Sequence, residues 1–182
     1  MGWFEARDEQ EYQEILNRLA ADMILPPKAV RVRNPKGVSA EIAAQFRKSK
    51  ILAARGDGLE SGRVVKGYIV DDAEGLSADF AIQNGRLSVA AALDLRSARP
   101  ALGQAALKAI TLDKVHRSDD RAARYGVYAV PPSRRPEVKE HVSLLGDYSD
   151  DIFNWMERDD RNRFLRIFYD AFNSHGKLNS LS

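Results

Sequence analysis

Residues 78–96 have the sequence ADFAIQNGRLSVAAALDLR, in which two apolar runs flank an Asn-Gly pair. Asn84 and Gly85 tolerate the positive φ angles of a type I′ turn, so the pattern predicts a hairpin of adjacent antiparallel strands. Because side chains alternate between the faces of a strand, the second run has one apolar face and one face of small residues that ends in two charges. The apolar face comprises Leu87, Val89, Ala91, Leu93 and Leu95, and the other comprises Ser88, Ala90, Ala92, Asp94 and Arg96.

Helical and strand patterns alternate around this hairpin. Apolar residues at helical spacing, with capping signals, predict helices at residues 5–23, 39–46, 100–110, 136–145 and 159–172. Short apolar or alternating runs predict strands at 29–33, 64–70 and 125–130, and a short strand or helical turn at 152–156. The charged residues 113–124 are predicted to form an exposed loop. This order indicates an α/β (α+β) fold with a single central mixed sheet flanked by helices.

Length and composition favour a soluble globular protein. The chain has 182 residues, 44% hydrophobic and 30% charged, which is typical of a compact domain. We expect a helical and basic N-terminal segment at residues 1–60 and an α/β core with a C-terminal helix at 61–182, together forming one compact unit. No apolar run reaches the roughly 20 residues that cross a bilayer, and no signal peptide is evident. A cytoplasmic location without membrane association is therefore expected.

The residue types present exclude several kinds of site. The chain contains no cysteine, which excludes disulfides, thiolate catalysis and cysteine zinc sites. Its three histidines, His116, His141 and His175, are far apart in sequence and do not have the spacing of metal ligands. A candidate active site must therefore be built from carboxylates, cationic side chains and hydroxyl groups.

Basic residues are concentrated between Lys28 and Arg55. This segment contains eight basic residues and a single acid, Glu41. Such a cluster is typical of a surface that contacts a phosphate backbone. The alternative is a solvated basic face that is balanced in three dimensions by the acidic stretch 147–160. The residues predicted to contact nucleic acid are Arg31, Arg33, Lys36, Arg47, Lys48 and Lys50.

Asp79 and Asp94 stand on the two predicted hairpin strands, with Arg96 two residues beyond the second acid. Two carboxylates at one point are suited to a divalent cation, and a nearby positive charge would steady the charge that develops in phosphodiester cleavage. This set resembles the PD-(D/E)XK restriction-endonuclease-like superfamily, as does the order helix, strand, hairpin, helix, strand. The resemblance implies a Mg²⁺ or Mn²⁺ site at Asp79 and Asp94. It also implies catalytic roles for Asp79, Asp94, Arg96, Gln104 and Lys108.

The resemblance covers residues 64–156 and departs from the superfamily pattern at Arg96, where the superfamily has lysine. A guanidinium stays charged and cannot act as a base, although it can hold a phosphate. Three hypotheses therefore stay open: an active metal nuclease, a degenerate site that only binds, and a surface ion pair without function. The aromatic residues Trp155, Phe164, Phe168 and Phe172 have helical spacing, which favours core packing over base stacking.

Two functions of different classes follow from these observations. The first is a cytosolic protein associated with DNA or RNA, with an active or degenerate nuclease-like core. The second is a protein-interaction module without catalysis, such as an inhibitor, adaptor or antitoxin-like protein of a phage or mobile element. In that case the apolar C-terminal helix or the acidic stretch 147–160 would bind the partner. The pattern from Ala78 onward is also similar to uncharacterised prophage and mobile-element proteins that are thought to have a nuclease-like fold.

Overall fold

The computed structural model describes residues 37–96 and 102–178. The chain separates into two units, Met1–Pro35 and Lys36–Ser182, and the elements below belong to the second. The predicted helix at 5–23 and strand at 29–33 lie outside the described residues. The helices are α1 (Val38–Lys48), α2 (Leu102–Ser118), α3 (Lys139–Asp147) and α4 (Arg158–Leu178). The strands are β1 (Val65–Asp71), β2 (Leu76–Asn84), β3 (Arg86–Asp94), β4 (Ala123–Ala129) and β5 (Asp151–Asn154).

The five strands form one mixed sheet in the order β1-β2-β3-β4-β5. Strands β1, β2 and β3 form an antiparallel meander, whereas β4 lies parallel to β3 and β5 lies parallel to β4. The parallel pairs are connected through helices, because a parallel neighbour requires a crossover that returns the chain to the same end of the sheet. The predicted α/β fold with a single mixed sheet is confirmed. The parallel strands β3, β4 and β5 all end at the same edge, at Asp94, Ala129 and Asn154.

Helices cover both faces of the sheet. On one face α1 and α4 pack on Phe80, Ala90 and Ala92, and on the other face α2 and α3 pack on Leu87, Val89, Ala91, Leu93 and Leu95. The predicted alternation along β3 is therefore confirmed, and both of its faces are buried. The first layer is rich in aromatic rings that contact one another at centroid distances of 5.0–6.2 Å, contributed by Phe46, Phe153, Phe164 and Phe168.

The β2–β3 hairpin is tighter than its sequence predicts. Asn84 pairs directly with Arg86, and Gly85 alone forms the tip with φ of 65°. A type I′ turn needs positive φ at both central residues, whereas Lys50 is the one non-glycine residue with positive φ in the described part of the chain. Asn84 instead uses its side-chain amide to donate to the carbonyl of Ala171 in α4, at 2.7 Å. The predicted hairpin is confirmed, but the predicted turn type is wrong.

Helix α2 extends well beyond its predicted end. The exposed loop predicted for residues 113–124 is wrong, because α2 continues to Ser118 and β4 begins at Ala123. Leu112 and Val115 are buried at helical spacing, while the charged residues between and after them are on the outer side. Asp113 and Arg117 form an ion pair one turn apart, at 2.7 Å. Because most residues of this stretch are charged, the two apolar positions that pack this part of the helix on the core did not form a recognisable helical pattern.

No helix in residues 37–96 or 102–178 has both the length and the apolar character needed to cross a bilayer.

Candidate functional site

Asp79 bridges strand β3 and helix α2. The pairing of β2 with β3 ends at Phe80, and from the next position the Asp79 carboxylate accepts the backbone N–H of Ala92 at 2.7 Å. The same oxygen, Oδ2, accepts a hydrogen bond from Lys108 Nζ at 2.6 Å. Only 13% of the Asp79 side chain and 23% of the Lys108 side chain are exposed, so solvent screens this pair weakly. The carboxylate thus accepts the Ala92 N–H in place of a backbone carbonyl, and through Lys108 it holds α2 against the sheet.

Asp94 ends β3 and is bonded to the opposite layer. Its Oδ2 accepts the N–H of Val38, the first residue of α1, at 3.1 Å. Arg96 binds it in a bidentate manner, with Nε donating to Oδ1 at 2.9 Å and a terminal nitrogen donating to Oδ2 at 2.6 Å. An acid at the start of a helix is stabilised by the helix dipole and by the unpaired N–H groups there. The ion pair between Asp94 and Arg96 that one of the three hypotheses assumed is present, but it is partly buried and not exposed as expected.

Glu41 and Trp155 extend this arrangement. The second terminal nitrogen of Arg96 donates to Glu41 Oε1 at 2.7 Å, and the Trp155 indole N–H donates to Glu41 Oε2 at 3.0 Å. Glu41 was identified in the sequence only as the single acid of the basic segment. We name Glu41, Asp94, Arg96 and Trp155 the strand-end cluster. It connects α1 to the carboxyl ends of the parallel strands and holds Arg96 between two carboxylates.

Both charged partners of the Asp94–Arg96 pair have shifted pKa values. Partial burial raises the pKa of Asp94, but hydrogen bonds from the side chain and backbone of Arg96 outweigh burial, and the net pKa lies below its ordinary value. The hydrogen bond to Asp94 likewise raises the pKa of the Arg96 guanidinium, against the opposing effect of burial. Arg96 therefore acts as a fixed positive charge and not as a proton donor or acceptor.

The two acids predicted to bind a metal have different partners. Asp79 is bonded to α2 and Asp94 to α1, and these helices cover opposite faces of the sheet. Within the described ranges no group of three or more histidine or acidic side chains could hold a metal ion. The donor set therefore fits a divalent cation poorly, since each carboxylate would first have to release the cation that it already binds. The Mg²⁺ or Mn²⁺ site stays a prediction.

The five predicted catalytic residues form two groups and one isolated position. Lys108 binds Asp79 and Arg96 binds Asp94, as described above. Gln104 lies one helical turn before Lys108 and is exposed on α2. The catalytic roles predicted for these residues stay predictions. The contacts that Asp79 and Asp94 make hold helices α2 and α1 on the sheet, and this positioning is what the geometry supports most directly.

A basic hollow lies where α1 ends and β1 begins. It has a volume of about 610 Å³ and is lined by Arg47, Arg55 and Arg63, together with Asp57 and the apolar residues 52–54. A contiguous recess shares several of these residues and adds Lys66 of β1. The pairing of Leu52 with Val64 brings the two ends of the loop together and so places these side chains around one space. We use the name basic hollow for the site formed by Arg47, Arg55, Arg63 and Lys66.

Positive charge in the basic hollow is not offset by ion pairs with other described residues. In the described part of the chain, none of its four cationic side chains forms one, and Asp57 accepts the N–H of Ala54 at 3.1 Å. The acidic stretch 147–160 pairs instead with arginines elsewhere, through the contacts Asp150–Arg124, Asp151–Arg163 and Glu157–Arg135. The interpretation that this stretch balances the basic segment is therefore not supported by the ion pairs of the described residues.

The basic hollow includes only part of the predicted nucleic-acid surface. Arg47 lines it, and Lys48 and Lys50 are exposed beside it at the end of α1. Arg31, Arg33 and Lys36 lie outside the described residues. Arg63 and Lys66 were missed because they follow a glycine-rich loop at a distance in sequence from the basic run. The one indication in the sequence was their position, since Arg63 immediately precedes the predicted strand 64–70 and Lys66 lies near its start.

Helix α2 also presents an exposed apolar stripe. Leu102, Leu107 and Ile110 are 49%, 51% and 54% exposed, whereas Ala105, Ala109 and Leu112 on the other side of the helix are buried. Exposed apolar side chains that cluster on one helix face are a feature of protein-interaction surfaces.

Comparison with known proteins gives no assignment for these sites. No protein-family model matches the chain, and no curated protein and no solved structure matches it.

Proposed function

We propose that this protein binds nucleic acid through phosphate contacts in the basic hollow. The observation that carries the proposal is that Arg47, Arg55 and Arg63 line one open space and Lys66 lines a recess that shares its wall, all without ion-pair partners among the described residues. Cations that are not neutralised by the protein raise the local potential and attract polyanions. Arginine also matches the geometry of phosphate oxygens with two parallel donors.

The arrangement of elements supports a nuclease-like core that binds without cleaving. Helix α1, the β1–β2–β3 meander, α2 and the parallel strand β4 follow the order that the PD-(D/E)XK resemblance implies. Asp79 and Asp94, however, are each held by a cation and a backbone N–H. A metal ion at either acid would therefore have to compete with the cationic side chain already bound there, Lys108 at Asp79 or Arg96 at Asp94. A degenerate site that binds without cleaving is the form of the proposal that this geometry favours.

Salt-dependent binding tests the proposal. Replacing Arg47, Arg55 and Lys66 with glutamine removes three positive charges and leaves the backbone contact of Arg63 intact. The affinity for a labelled oligonucleotide should fall, and the slope of log K against log salt should become less steep for each lost phosphate contact, by about 0.9 on duplex DNA and about 0.7 on a single strand. Measurement by fluorescence anisotropy from about 50 to 200 mM salt covers the range in which this effect is large.

A matched control removes the same charge elsewhere. Arg117, Arg121 and Lys139 are exposed and lie on α2, the following turn and α3. Their replacement by glutamine should leave the salt slope close to that of the wild type. Equal slopes for the two triple variants would show that net charge, and not the basic hollow, determines binding.

Two further outcomes distinguish the alternatives. Cleavage that requires Mg²⁺ or Mn²⁺ and is lost in Asp94→Ala would show an active nuclease and contradict the degenerate form. No binding at about 50 mM salt would exclude the nucleic-acid function. It would leave the protein-interaction module as the better hypothesis, which the apolar stripe of α2 supports.

A further inference from the structure

An aromatic hollow lies beside the basic hollow, at the same end of α1. It has a volume of about 300 Å³ and is lined by Ser49, Ile51, Tyr169, Phe172 and Asn173. Tyr169 and Phe172 are half-buried residues of α4, in contrast to Phe164 and Phe168, which are fully buried in the core. The Tyr169 hydroxyl and the Ser49 hydroxyl are hydrogen-bonded at 2.8 Å, which fixes the tyrosine ring against the end of α1.

One short segment separates the two hollows. Ser49 and Ile51 line the aromatic hollow, while Arg47 and Leu52 line the basic hollow. Lys50, between them, is bonded to the basic side through its carbonyl, which accepts a hydrogen bond from Arg63 at 2.9 Å. The segment is therefore fastened to a ring on one side and to an arginine on the other. A nucleotide has the same two parts, a flat base and a charged phosphate.

Lys50 has a backbone conformation that normally favours glycine. Its φ is 60°, at the position after a helix end where a left-handed residue closes the last turn. The N–H of Lys50 bonds to the carbonyl of Arg47, and the N–H of Ile51 bonds to that of Phe46, both at 3.0 Å. A side chain with a Cβ atom is unfavourable there, so an exposed lysine at this position is not explained by stability. Residues kept in such conformations cluster at ligand sites.

We propose that the nucleic acid is single-stranded, with a base stacked on Tyr169 and Phe172 and its phosphates held by Lys50 and the basic hollow. This inference rests on the function proposed above. Bases in a duplex are stacked on one another and cannot reach a ring at the protein surface, whereas unpaired bases can. Aromatic side chains beside a positively charged groove are the combination that binds single strands with little sequence preference.

Binding of strands and duplexes by the full-length protein tests this inference. Labelled oligothymidylate and oligouridylate of about 12 nucleotides, and a duplex of equal length, are titrated against the wild type and Tyr169→Leu/Phe172→Leu. We expect the wild type to prefer the single strands. The double variant should lose at least about tenfold in affinity for them and change little toward the duplex. Comparison of oligothymidylate with oligouridylate shows whether the site favours DNA or RNA.

Two controls separate stacking from damage to the fold. Tyr169→Phe keeps the ring and loses the bond to Ser49, and it should bind single strands much as the wild type does. Tyr148→Leu removes a tyrosine that is 37% exposed at the end of α3, and it should have no effect on affinity. As a measurement that needs no variant, an oligonucleotide with 5-bromouracil should photocrosslink to the peptide that contains Tyr169 and Phe172.

The results distinguish this inference from the proposed function. If the wild type binds and the basic-hollow triple variant does not, but the double aromatic variant retains its affinity for single strands, the stacking site is refuted alone. Equal losses for strand and duplex, or crosslinks confined to other peptides, would also overturn it. If the basic-hollow charges have no effect on binding, both the proposed function and the single-strand inference fail.

Discussion

Replacement of Lys50 by glycine should stabilise the protein although it removes a charged side chain. Lys50 closes the end of α1 with φ of 60°, and its hydrogen bonds to described residues use its backbone N–H and carbonyl, not its side chain. Glycine can make the same bonds without the contact between Cβ and backbone that disfavours this conformation. The exposed lysine side chain forms no ion pair within the described ranges, so its loss removes little from the folded state.

The size of the effect follows from two opposing terms. Relief of the left-handed conformation gains about 1–2 kcal/mol, and the greater freedom of glycine in the unfolded chain costs about 0.5–1 kcal/mol. The free energy of unfolding should therefore rise by up to about 1.5 kcal/mol, with a central value of about 0.7 kcal/mol. For a chain of this length each kcal/mol corresponds to about 2–4 °C, so at the central value the midpoint of thermal unfolding should rise by about 1–3 °C.

Lys48→Gly provides a matched control two residues upstream. Lys48 is also exposed and basic, but it is the last residue of α1. Glycine at a helical position costs up to about 1 kcal/mol, so this variant should be less stable than the wild type. Urea unfolding followed by far-UV circular dichroism measures both variants. A loss of stability in Lys50→Gly equal to that in Lys48→Gly would refute the conformational reasoning.

Three further predictions concern the strand-end cluster and the packing of β4. Glu41→Gln should lower the free energy of unfolding by about 1–2 kcal/mol, because it weakens charge-assisted bonds to Arg96 and Trp155. Urea unfolding monitored by tryptophan fluorescence measures this change, and an unaltered midpoint would contradict it. Asp94→Asn should reduce the loss of folding stability that occurs as the pH falls into the acid range. The lowered pKa of Asp94 means that its contribution is complete above the ordinary value of 3.8 and is lost as the pH falls through the lower folded value. Denaturation from pH 7 down to about 2 tests this, and parallel curves for variant and wild type would disprove it. Gly126→Ala should cost about 1–3 kcal/mol, because a Cβ atom there would lie 2.8–2.9 Å from side-chain atoms of α3 and the turn that follows it. A thermal midpoint equal to that of the wild type would show that β4 and α3 can move apart at little cost.

The sequence alone determined the elements whose patterns are local. The hairpin was predictable because apolar runs on either side of an Asn-Gly pair leave few alternatives. The two faces of β3 and the apolar side of α4 followed from spacings of two and of three to four residues, since burial on one side imposes that period. The end of α2 was not predictable in this way, because Leu112 and Val115 are two apolar positions among many charges.

Only the tertiary structure decided which partners the acidic side chains meet. Asp79 and Lys108 are 29 positions apart, Asp94 and Val38 are 56 apart, and Glu41 and Trp155 are 114 apart. Sequence reasoning grouped Asp79 with Asp94 because they stand on adjacent strands. It could not determine that helices on opposite faces would supply their partners. The basic hollow likewise depends on the pairing of residues 52 and 64, which closes a loop that has no local signal of its own. Local periodicity records which side of an element is buried, whereas a site depends on which elements the whole core packs together.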